Sequence, residues 1–283
     1  MILLTGGGRG LGRFTAQKLA EAGHEVLLTA RDAAAGERAV DEIRAGSPRA
    51  RVRALTLDLG SLASLRALTD SLLAAGQSLD VLFHVAGVMQ QSPVRRVTVD
   101  GLEETLAVNA LAPLYLTHRL EPLLSGRAVF VSSRLHLPGS RGVPVHFDFD
   151  DPQLEHGYHP QRAYKNSKLA VLWVASAFTR RWAASARTAH AVCPGFVPET
   201  VAASTQGFQR FLMTHVLAHM PFARSPAEAV DSFVFMATDA GVARQPGLFW
   251  GEKQPLASSP ESRDEAKSER FFAWGLRTLG LPG

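Results

Sequence analysis

The chain is poor in cysteine, tyrosine and lysine, and it has no long hydrophobic run. Its single cysteine among 283 residues, Cys193, excludes an intramolecular disulfide framework and fits a reducing compartment. No apolar run approaches the roughly 18 residues that a membrane-spanning helix needs, and the first residues lack the pattern of a secretory signal peptide. We therefore expect a cytoplasmic protein without a membrane span.

The charges are nearly balanced and scattered along the chain. There are 30 lysine and arginine residues against 26 aspartate and glutamate residues, a net charge of +4. A nucleic-acid-binding surface would concentrate its cations, whereas the longest clusters here are pairs such as Arg95-Arg96 and Arg180-Arg181. The sequence therefore predicts no nucleic-acid partner.

Short apolar runs alternate with amphipathic stretches over most of the chain. Runs that are apolar at every position predict strands buried on both faces of a parallel sheet, and the stretches between them predict crossover helices. The pattern predicts a single-domain α/β protein of the Rossmann type, with a doubly wound parallel sheet of about seven strands and helices on both faces. The predicted strands are MILLT, HEVLLTA, VRALTLD, DVLFHVAG, RAVFVSS, TAHAVCPG and GLFWG.

Three segments depart from this alternation. Residues 134–161 are rich in turn-forming residues and lack periodicity, which predicts a long loop that is either functional or disordered. Residues 196–225 are expected to form a lid, and residues 251–283 a polar tail. Within the one domain, we assign residues 1–132 mainly to cofactor binding and residues 133–250 to catalysis and substrate binding.

A glycine-rich loop, TGGGRGLG at residues 5–12, joins the first predicted strand to the first helix. Glycines let the backbone turn tightly and approach a pyrophosphate, and the start of the helix directs unpaired N–H groups at the phosphates. The position between a strand and a helix favours this interpretation over a glycine turn that binds nothing. The predicted contacts are Thr5, Gly6, Arg9, Gly10, Leu11 and Gly12.

A second group of residues has the composition of a proton-transfer site. Tyr164 and Lys168 lie four residues apart on a predicted helix, so they share one face and the ammonium comes near the phenol. A phenol with a pKa near 10 is a poor acid at neutral pH, and a nearby ammonium lowers that pKa. Ser132-Ser133 end the fifth predicted strand, and Asn109 lies in the helix before it.

Together these motifs make the sequence similar to the short-chain dehydrogenase/reductase family over residues 1–250. The long interval between Ser133 and Tyr164 most resembles the branch of retinol dehydrogenases and protochlorophyllide reductases. The resemblance implies that Tyr164 is the acid in reduction and the base in oxidation, and that Lys168 tunes it and holds the nicotinamide ribose. It also implies that Ser133 donates to the substrate oxygen, with Ser132 as its structural neighbour, and that Asn109 bends its helix around a water that relays protons.

The residues after the second strand indicate which cofactor binds. Where NAD-dependent relatives place an aspartate, this sequence has Ala30 followed by Arg31. A guanidinium can bind a 2′-phosphate in bidentate fashion, and Arg9 resembles a second basic position of NADP-dependent members. We therefore predict NADPH or NADP⁺, with NADH less favoured, although Asp32 could pair with Arg31.

The resemblance implies further cofactor contacts. Asp58 would contact the adenine, although its alternative role is to cap the next helix. His84-Val85 replace the usual asparagine pair before the small Ala86-Gly87, and His84 is expected to be a core histidine. The remaining contacts implied by the resemblance are Leu59, Pro194, Gly195, Val197 and Thr200.

The substrate is less well defined. Apolar residues at helical spacing in the lid fit either a bulky apolar substrate or simple packing: Phe208, Phe211, Leu212 and Val216. His215 and His219 have no further metal ligands near them in the sequence. The polar residues of the long loop are expected to be solvated or to line the substrate mouth. We therefore predict no metal site. These loop residues are His146, Asp148, Asp150, Asp151, His156 and His159.

The predicted function is hydride transfer to or from a carbonyl or alcohol of a small molecule, an aromatic polyketide-like ketone being one candidate. Reduction of a C=C bond, as in the protochlorophyllide branch, is an alternative. A protein that binds NADP(H) without turnover is another, although it would have no use for a tuned phenol. Relatives often pair through the helices that hold Asn109 and Tyr164, so a homo-oligomer stays open.

Overall fold

A computed structural model describes residues 1–140, 142–199, 219–220, 223–247 and 249–283. In these ranges the strands are β1 (Ile2–Thr5), β2 (Val26–Ala30), β3 (Val52–Thr56), β4 (Leu79–His84), β5 (Leu124–Val131), β6 (Thr188–Cys193), β7 (Phe249–Gly251) and β8 (Gln254–Leu256). They form one sheet in the order β3-β2-β1-β4-β5-β6-β7-β8. Neighbours pair in parallel from β3 to β7, and β8 pairs antiparallel with β7. All seven predicted strands are present, and β8 adds an eighth at the edge.

Helices connect the strands and cover both faces of the sheet. They are α1 (Gly10–Glu21), α2 (Ala33–Gly46), α3 (Leu62–Ala75), α4 (Glu104–Leu106), α5 (Ala112–Leu120), α6 (Pro160–Arg181), α7 (Pro226–Thr238), α8 (Ala240–Ala243) and α9 (Glu265–Thr278). A π-helical turn, Ala107–Leu111, joins α4 to α5. One-turn 3-10 helices lie at Glu121–Leu123, Arg134–His136 and Glu261–Arg263. None of the helices in the described ranges is long and apolar enough to cross a bilayer.

The sheet separates two apolar cores, because alternate residues of a strand point to opposite faces. Leu3 of β1 belongs to the core that contains α3, α5, α6 and α9, which we call the α6-side core. Ile2 and Leu4 belong to the core that contains α1, α2 and α7, the α1-side core. Burial on both faces explains why the strands are apolar at successive positions, and the arrangement is the predicted doubly wound fold.

The end of the chain is not the polar tail that its composition predicts. Residues 265–278 form α9, whose start is capped by Asp264 accepting from the Lys267 N–H at 3.0 Å. The buried residues of α9 recur at helical spacing and pack against α6: Ser268, Phe271, Phe272, Gly275 and Leu276. Most charged residues of α9 lie away from this buried face, and Glu269 pairs with Arg180 and Arg181 at the end of α6, so the segment is an amphipathic helix.

The segment between β5 and α6 is the predicted long loop, and it is attached to α6 at two points. The side chain of Asn166 donates to the carbonyl of His146 at 2.6 Å and accepts from its N–H at 3.3 Å. The ammonium of Lys165 donates to the carbonyl and hydroxyl of Ser140. Phe147 is buried against Trp173 of α6. Part of the loop therefore belongs to the α6-side core.

Candidate active site

The predicted site residues follow strands whose carboxyl ends lie side by side. Thr5 at the end of β1 pairs with His84 of β4, and His84 pairs with Phe130 of β5. Val131 of β5 pairs with Val192 of β6. This edge is where open α/β sheets bind their ligands.

The glycine loop at this edge is built for close approach. Gly6 has a φ of +75°, which favours glycine. A Cβ on Gly12 would lie 2.1 Å from the carbonyl oxygen of Gly6, so no larger residue fits there without moving backbone. The cap position before α1 is Arg9, whose side chain makes no capping hydrogen bond. The first N–H groups of this 12-residue helix are therefore available to an anion.

The ends of β1 and β4 pack together closely behind this loop. The Thr5 hydroxyl accepts from the Ala86 N–H at 3.2 Å, and a Cβ on Gly6 would lie 2.9 Å from the Ala86 Cα. His84 is buried and stacks on Phe130. Its Nε2 lies 2.8 Å from the Thr117 hydroxyl, and burial lowers its pKa to about 3. The structure thus places His84 in the core, as expected.

Two cations lie exposed beside the end of β2. Arg9 and Arg31 make no ion pair or side-chain hydrogen bond with any residue that the structure describes. Asp32 does not pair with Arg31: its side chain caps α2 by accepting from the Ala34 N–H at 3.0 Å, and it lies 3.9 Å from Arg38. The Asp32–Arg31 ion pair, which would compete with a 2′-phosphate for Arg31, is therefore not formed.

Asp58 is exposed after β3, and Leu59 beside it is partly buried. One carboxylate oxygen of Asp58 accepts from the Gly60 N–H at 2.9 Å. The helix-cap alternative is wrong, because α3 is capped by Ser61, which accepts from the Ser64 N–H.

Tyr164, Ser133 and Lys168 come together between β5 and α6. The side chain of Ser133 lies near enough to the phenol of Tyr164 to lower the pKa of that phenol. The Lys168 ammonium lies 5.5 Å from the centre of the Tyr164 ring and donates to the Val131 carbonyl at 3.0 Å. Ser132 points elsewhere and donates to the Lys168 carbonyl at 2.8 Å, so only the second serine faces the phenol.

Asn109 lies in the π-helical turn and joins the same cluster. Its Oδ1 accepts from the Val88 N–H at 2.8 Å, and its Nδ2 donates to the Val88 carbonyl and the Ser167 hydroxyl, each at 2.9 Å. A Cβ on Gly87 would lie 3.3 Å from both Asn109 Oδ1 and Lys168 Nζ. The small residue at Gly87 therefore keeps open the space beside the amide and the ammonium.

Comparison with known proteins agrees with this geometry. A family model described as short chain dehydrogenase matches residues 1–145, about half of the chain. Human retinol dehydrogenase 12 is 30% identical over 285 residues, covering 99% of this chain and 86% of the relative. The chain belongs to the short-chain dehydrogenase/reductase family.

Other relatives agree on the branch and the fold. Human retinol dehydrogenase 13 is 30% identical over 288 residues, 99% of this chain and 84% of that protein. A crystal structure of an uncharacterised protein from Mycobacterium paratuberculosis is 28% identical and superposes with a TM-score of 0.77 over 99% of this chain and 93% of the other. The Pseudomonas aeruginosa RhlG/NADP complex shares the fold with a TM-score of 0.68 at 24% identity, covering 88% and 93% of the two chains. The chain therefore lies in the retinol-dehydrogenase-like branch of these oxidoreductases.

Burial dominates the acid–base properties of the short-chain dehydrogenase/reductase cluster. Desolvation raises the pKa of Tyr164 to about 12, and the nearby side chain of Ser133 offsets part of that rise. Desolvation also lowers the pKa of Lys168 to about 8. The lowered phenol pKa expected from the sequence is not found in the chain by itself, because the ammonium lies over the ring and bonds to Val131 rather than to the phenol oxygen.

The remaining predicted cofactor contacts up to residue 199 are described by the structure, and the one beyond it is not. Pro194 and Gly195 follow β6, where the Gly195 N–H contacts the Cys193 sulfur at 3.4 Å, and Val197 is buried. Thr200 and most of the predicted lid lie outside the described residues. His219 is described and exposed. The described residues contain no group of three or more potential ligands that could hold a metal ion.

The residues at this edge fit a nicotinamide dinucleotide, the cofactor class of the family. The uncapped start of α1 and the close-packed glycines would accept the pyrophosphate, and the space beside Gly87 would accept the nicotinamide half. Arg9 and Arg31, which have no ion pair or side-chain hydrogen bond within the described ranges, lie next to the predicted adenosine end. The fit rests on backbone shape at one end and on unpaired charge at the other.

Several residues of the cluster were not identified from the sequence. Ser167 links the Asn109 amide to the Tyr164 carbonyl, to which it donates at 2.7 Å. Lys165 and Asn166, between the two predicted catalytic residues, hold the long loop. Every position of Y-K-N-S-K, residues 164–168, thus makes a specific contact, and the polar run inside a buried helix was the available signal.

Proposed function

We propose that this chain is an NADP(H)-dependent oxidoreductase that transfers hydride between the nicotinamide and a carbonyl or alcohol carbon of a bulky apolar small molecule. The observation that carries the proposal is the convergence of Tyr164, Ser133 and Lys168 at the sheet edge that also holds the uncapped start of α1. A proton donor and an anion-binding loop at one edge are what such a transfer requires.

The side chains divide the acid–base work. When bound, the reduced nicotinamide supplies the hydride. Tyr164, with its pKa raised to about 12, holds its proton at neutral pH and gives it to the oxygen that gains negative charge. Ser133 donates to the same oxygen and stabilises its charge. The Lys168 ammonium stabilises the phenolate that remains after proton transfer.

Asn109 has a supporting role in this proposal. Its amide is fully engaged with Val88 and Ser167, and it places its oxygen on the same space as the Lys168 ammonium, beside Gly87. A water in that space would connect Lys168 to solvent through the π-helical turn. Asn109 thereby keeps a route by which the proton lost from Tyr164 is replaced.

Preference for the 2′-phosphate is assigned to Arg9 and Arg31. Both are exposed and free of acidic partners in the described part of the chain, and Ala30 presents no carboxylate to repel a phosphate. We expect NADPH to bind at least about tenfold more tightly than NADH. A tenfold ratio of Kd corresponds to a difference of roughly 1.4 kcal/mol in binding free energy.

Titration with both cofactors tests this preference. Arg31→Ala should lose most of it by weakening NADPH binding alone. Arg49→Ala is the matched control, since Arg49 is equally exposed but precedes β3 at the opposite edge of the sheet. Equal binding of the two cofactors by the unmodified chain would refute the assignment.

Turnover tests the chemistry. The panel contains aromatic and alicyclic ketones and, because the relatives are named retinol dehydrogenases, retinal and retinol. Tyr164→Phe should lower kcat by about 10²-fold or more, and Tyr115→Phe, in α5, should leave it unchanged. An alcohol product supports carbonyl reduction, whereas a product saturated at a C=C bond, or full activity of Tyr164→Phe, contradicts it.

A further inference from the structure

His136 is a buried histidine that the proposed mechanism does not use. It ends the one-turn helix that follows Ser133, only 1% of its surface is exposed, and its ring packs edge-on against Phe249 of β7 with centroids 5.1 Å apart. Both of its ring nitrogens have backbone partners: the Ser133 carbonyl and the Ser259 N–H.

These partners select one tautomer. The Ser259 N–H can only donate, so Nε2 of His136 must accept, at 3.2 Å. The Ser133 carbonyl can only accept, so Nδ1 carries the proton and donates, at 2.5 Å. The ring is therefore neutral, and burial, which lowers its pKa, favours the same state.

The far partner of His136 is itself held firmly. Ser259 and Ser262 are both buried, and each hydroxyl bonds to the backbone of the other residue. The carbonyl of Glu261, in the same turn, accepts from the indole of Trp173 at 2.9 Å. Trp173 lies in α6, the helix that carries Tyr164.

These contacts form a continuous connection between Ser133 and Tyr164, the two side chains that act on the substrate oxygen in the proposed function. Ser133 is connected through the His136 ring to the turn at residues 259–262, and from there through Trp173 to α6 and Tyr164. The carbonyl that His136 holds belongs to the same residue whose hydroxyl faces the phenol. Movement of that peptide group would move the hydroxyl.

We propose that His136 is a positioning residue that fixes the Ser133 hydroxyl against Tyr164 by donating to the Ser133 carbonyl from a ring anchored on Ser259. The role rests on the proposed function, since it assigns His136 an effect on the same reaction. The proposed role depends on the N–H donor at Nδ1. If His136 were merely structural, activity would depend on the volume of the ring and equally on its contacts with Ser133 and Ser259.

Two amide variants separate these contacts. In His136→Asn the amide nitrogen can occupy the place of Nδ1 and donate to the Ser133 carbonyl, while the contact to Ser259 is lost. In His136→Gln the longer side chain reaches the place of Nε2 and can accept from Ser259, while the donation to Ser133 is lost. We expect His136→Gln to lower kcat by about tenfold or more and His136→Asn to lose much less, with the KM for NADPH unchanged in both.

A double-mutant cycle shows whether His136 acts through Ser133. In a Ser133→Ala background, His136→Gln should have no further effect on kcat, because the hydroxyl it positions is gone. An equal loss in both backgrounds, or a larger loss for His136→Asn than for His136→Gln, would overturn the proposal.

A measurement independent of turnover keeps the inference distinct from the proposed function. The ¹⁵N–¹H spectrum of the ¹⁵N-histidine-labelled, unmodified chain at neutral pH should show His136 as the neutral form protonated at Nδ1. A ring protonated at Nε2, or at both nitrogens, refutes the positioning role even if the chain is active. Absence of any turnover on the whole substrate panel would refute the proposed function while the spectrum still decides the hydrogen-bond geometry.

Discussion

Replacing Lys168 by methionine should make the protein more stable while abolishing its proposed activity. The side chain is 3% exposed, and burial lowers the pKa of its ammonium from 10.5 to about 8. A folded-state pKa below the unfolded value means that the fold disfavours the charged form. Methionine has a similar volume and no charge to desolvate.

The size of the effect follows from the pKa. A lowering of this size corresponds to about 3 kcal/mol of destabilisation at any pH below about 8. The hydrogen bond to the Val131 carbonyl, about 1 kcal/mol, is lost in the variant and offsets part of the gain. Lys168→Met should therefore be about 2 kcal/mol more stable than the unmodified chain at pH 7. This advantage should vanish as the pH rises from about 8 to 10.5, where lysine becomes neutral in both states.

Urea denaturation followed by far-UV circular dichroism, at pH 7 and near pH 10, measures this difference. Lys18→Met is the control, since Lys18 is exposed on α1 and its replacement should change stability by less than about 0.5 kcal/mol at either pH. A Lys168→Met variant that is less stable than the unmodified chain at pH 7, or a difference that does not change with pH, would refute the reasoning.

Two further predictions follow from close packing. Gly12→Ala should weaken NADPH binding by about tenfold or more without unfolding the chain, because the new Cβ displaces the Gly6 carbonyl. Gly46→Ala is the control for the same titration. A Cβ there meets only the end of a side chain at 4.0 Å, so this variant should bind NADPH normally. Phe271→Ala should lower the free energy of unfolding, measured in urea, by about 3–5 kcal/mol because α9 belongs to the core. The control Phe14→Ala, at an exposed position, should lower it by less than about 1 kcal/mol. A small loss of stability in Phe271→Ala would contradict the packing of α9.

The fold was predictable where burial on both faces left a local pattern. VLLTA of β2 and TAHAVC of β6 are buried at every position, and their composition alone indicates a central strand. The helix α9 leaves only a weak apolar pattern in the sequence, because two of its five buried positions are Ser268 and Gly275. Gly275 is small because it packs against Leu114 of α5, where a Cβ would lie 2.6 Å from a leucine methyl group. That requirement comes from a residue 161 positions away and leaves no local pattern.

The site was predictable in its residue types and less so in its connections. The spacing of Tyr164 and Lys168 on one helix places them together, and the structure does so. The sequence could not predict that Lys168 would bond to the Val131 carbonyl, since that depends on how deeply α6 packs against β5. Contacts such as His136 with Ser259, 123 residues apart, arise only when the chain end folds back onto β7.

The division of the molecule into two cores determines what its intrinsic fluorescence can report. All four tryptophans follow residue 172, and Trp173, Trp182 and Trp274 lie in or against the α6-side core, whereas only Trp250 belongs to the α1-side core. Emission therefore follows mainly one layer, while far-UV circular dichroism averages over all the helices. If the glycine loop and α1 loosen before the rest, ellipticity will change before the emission does. The separation between the two midpoints then measures how independently the two sides of one sheet unfold.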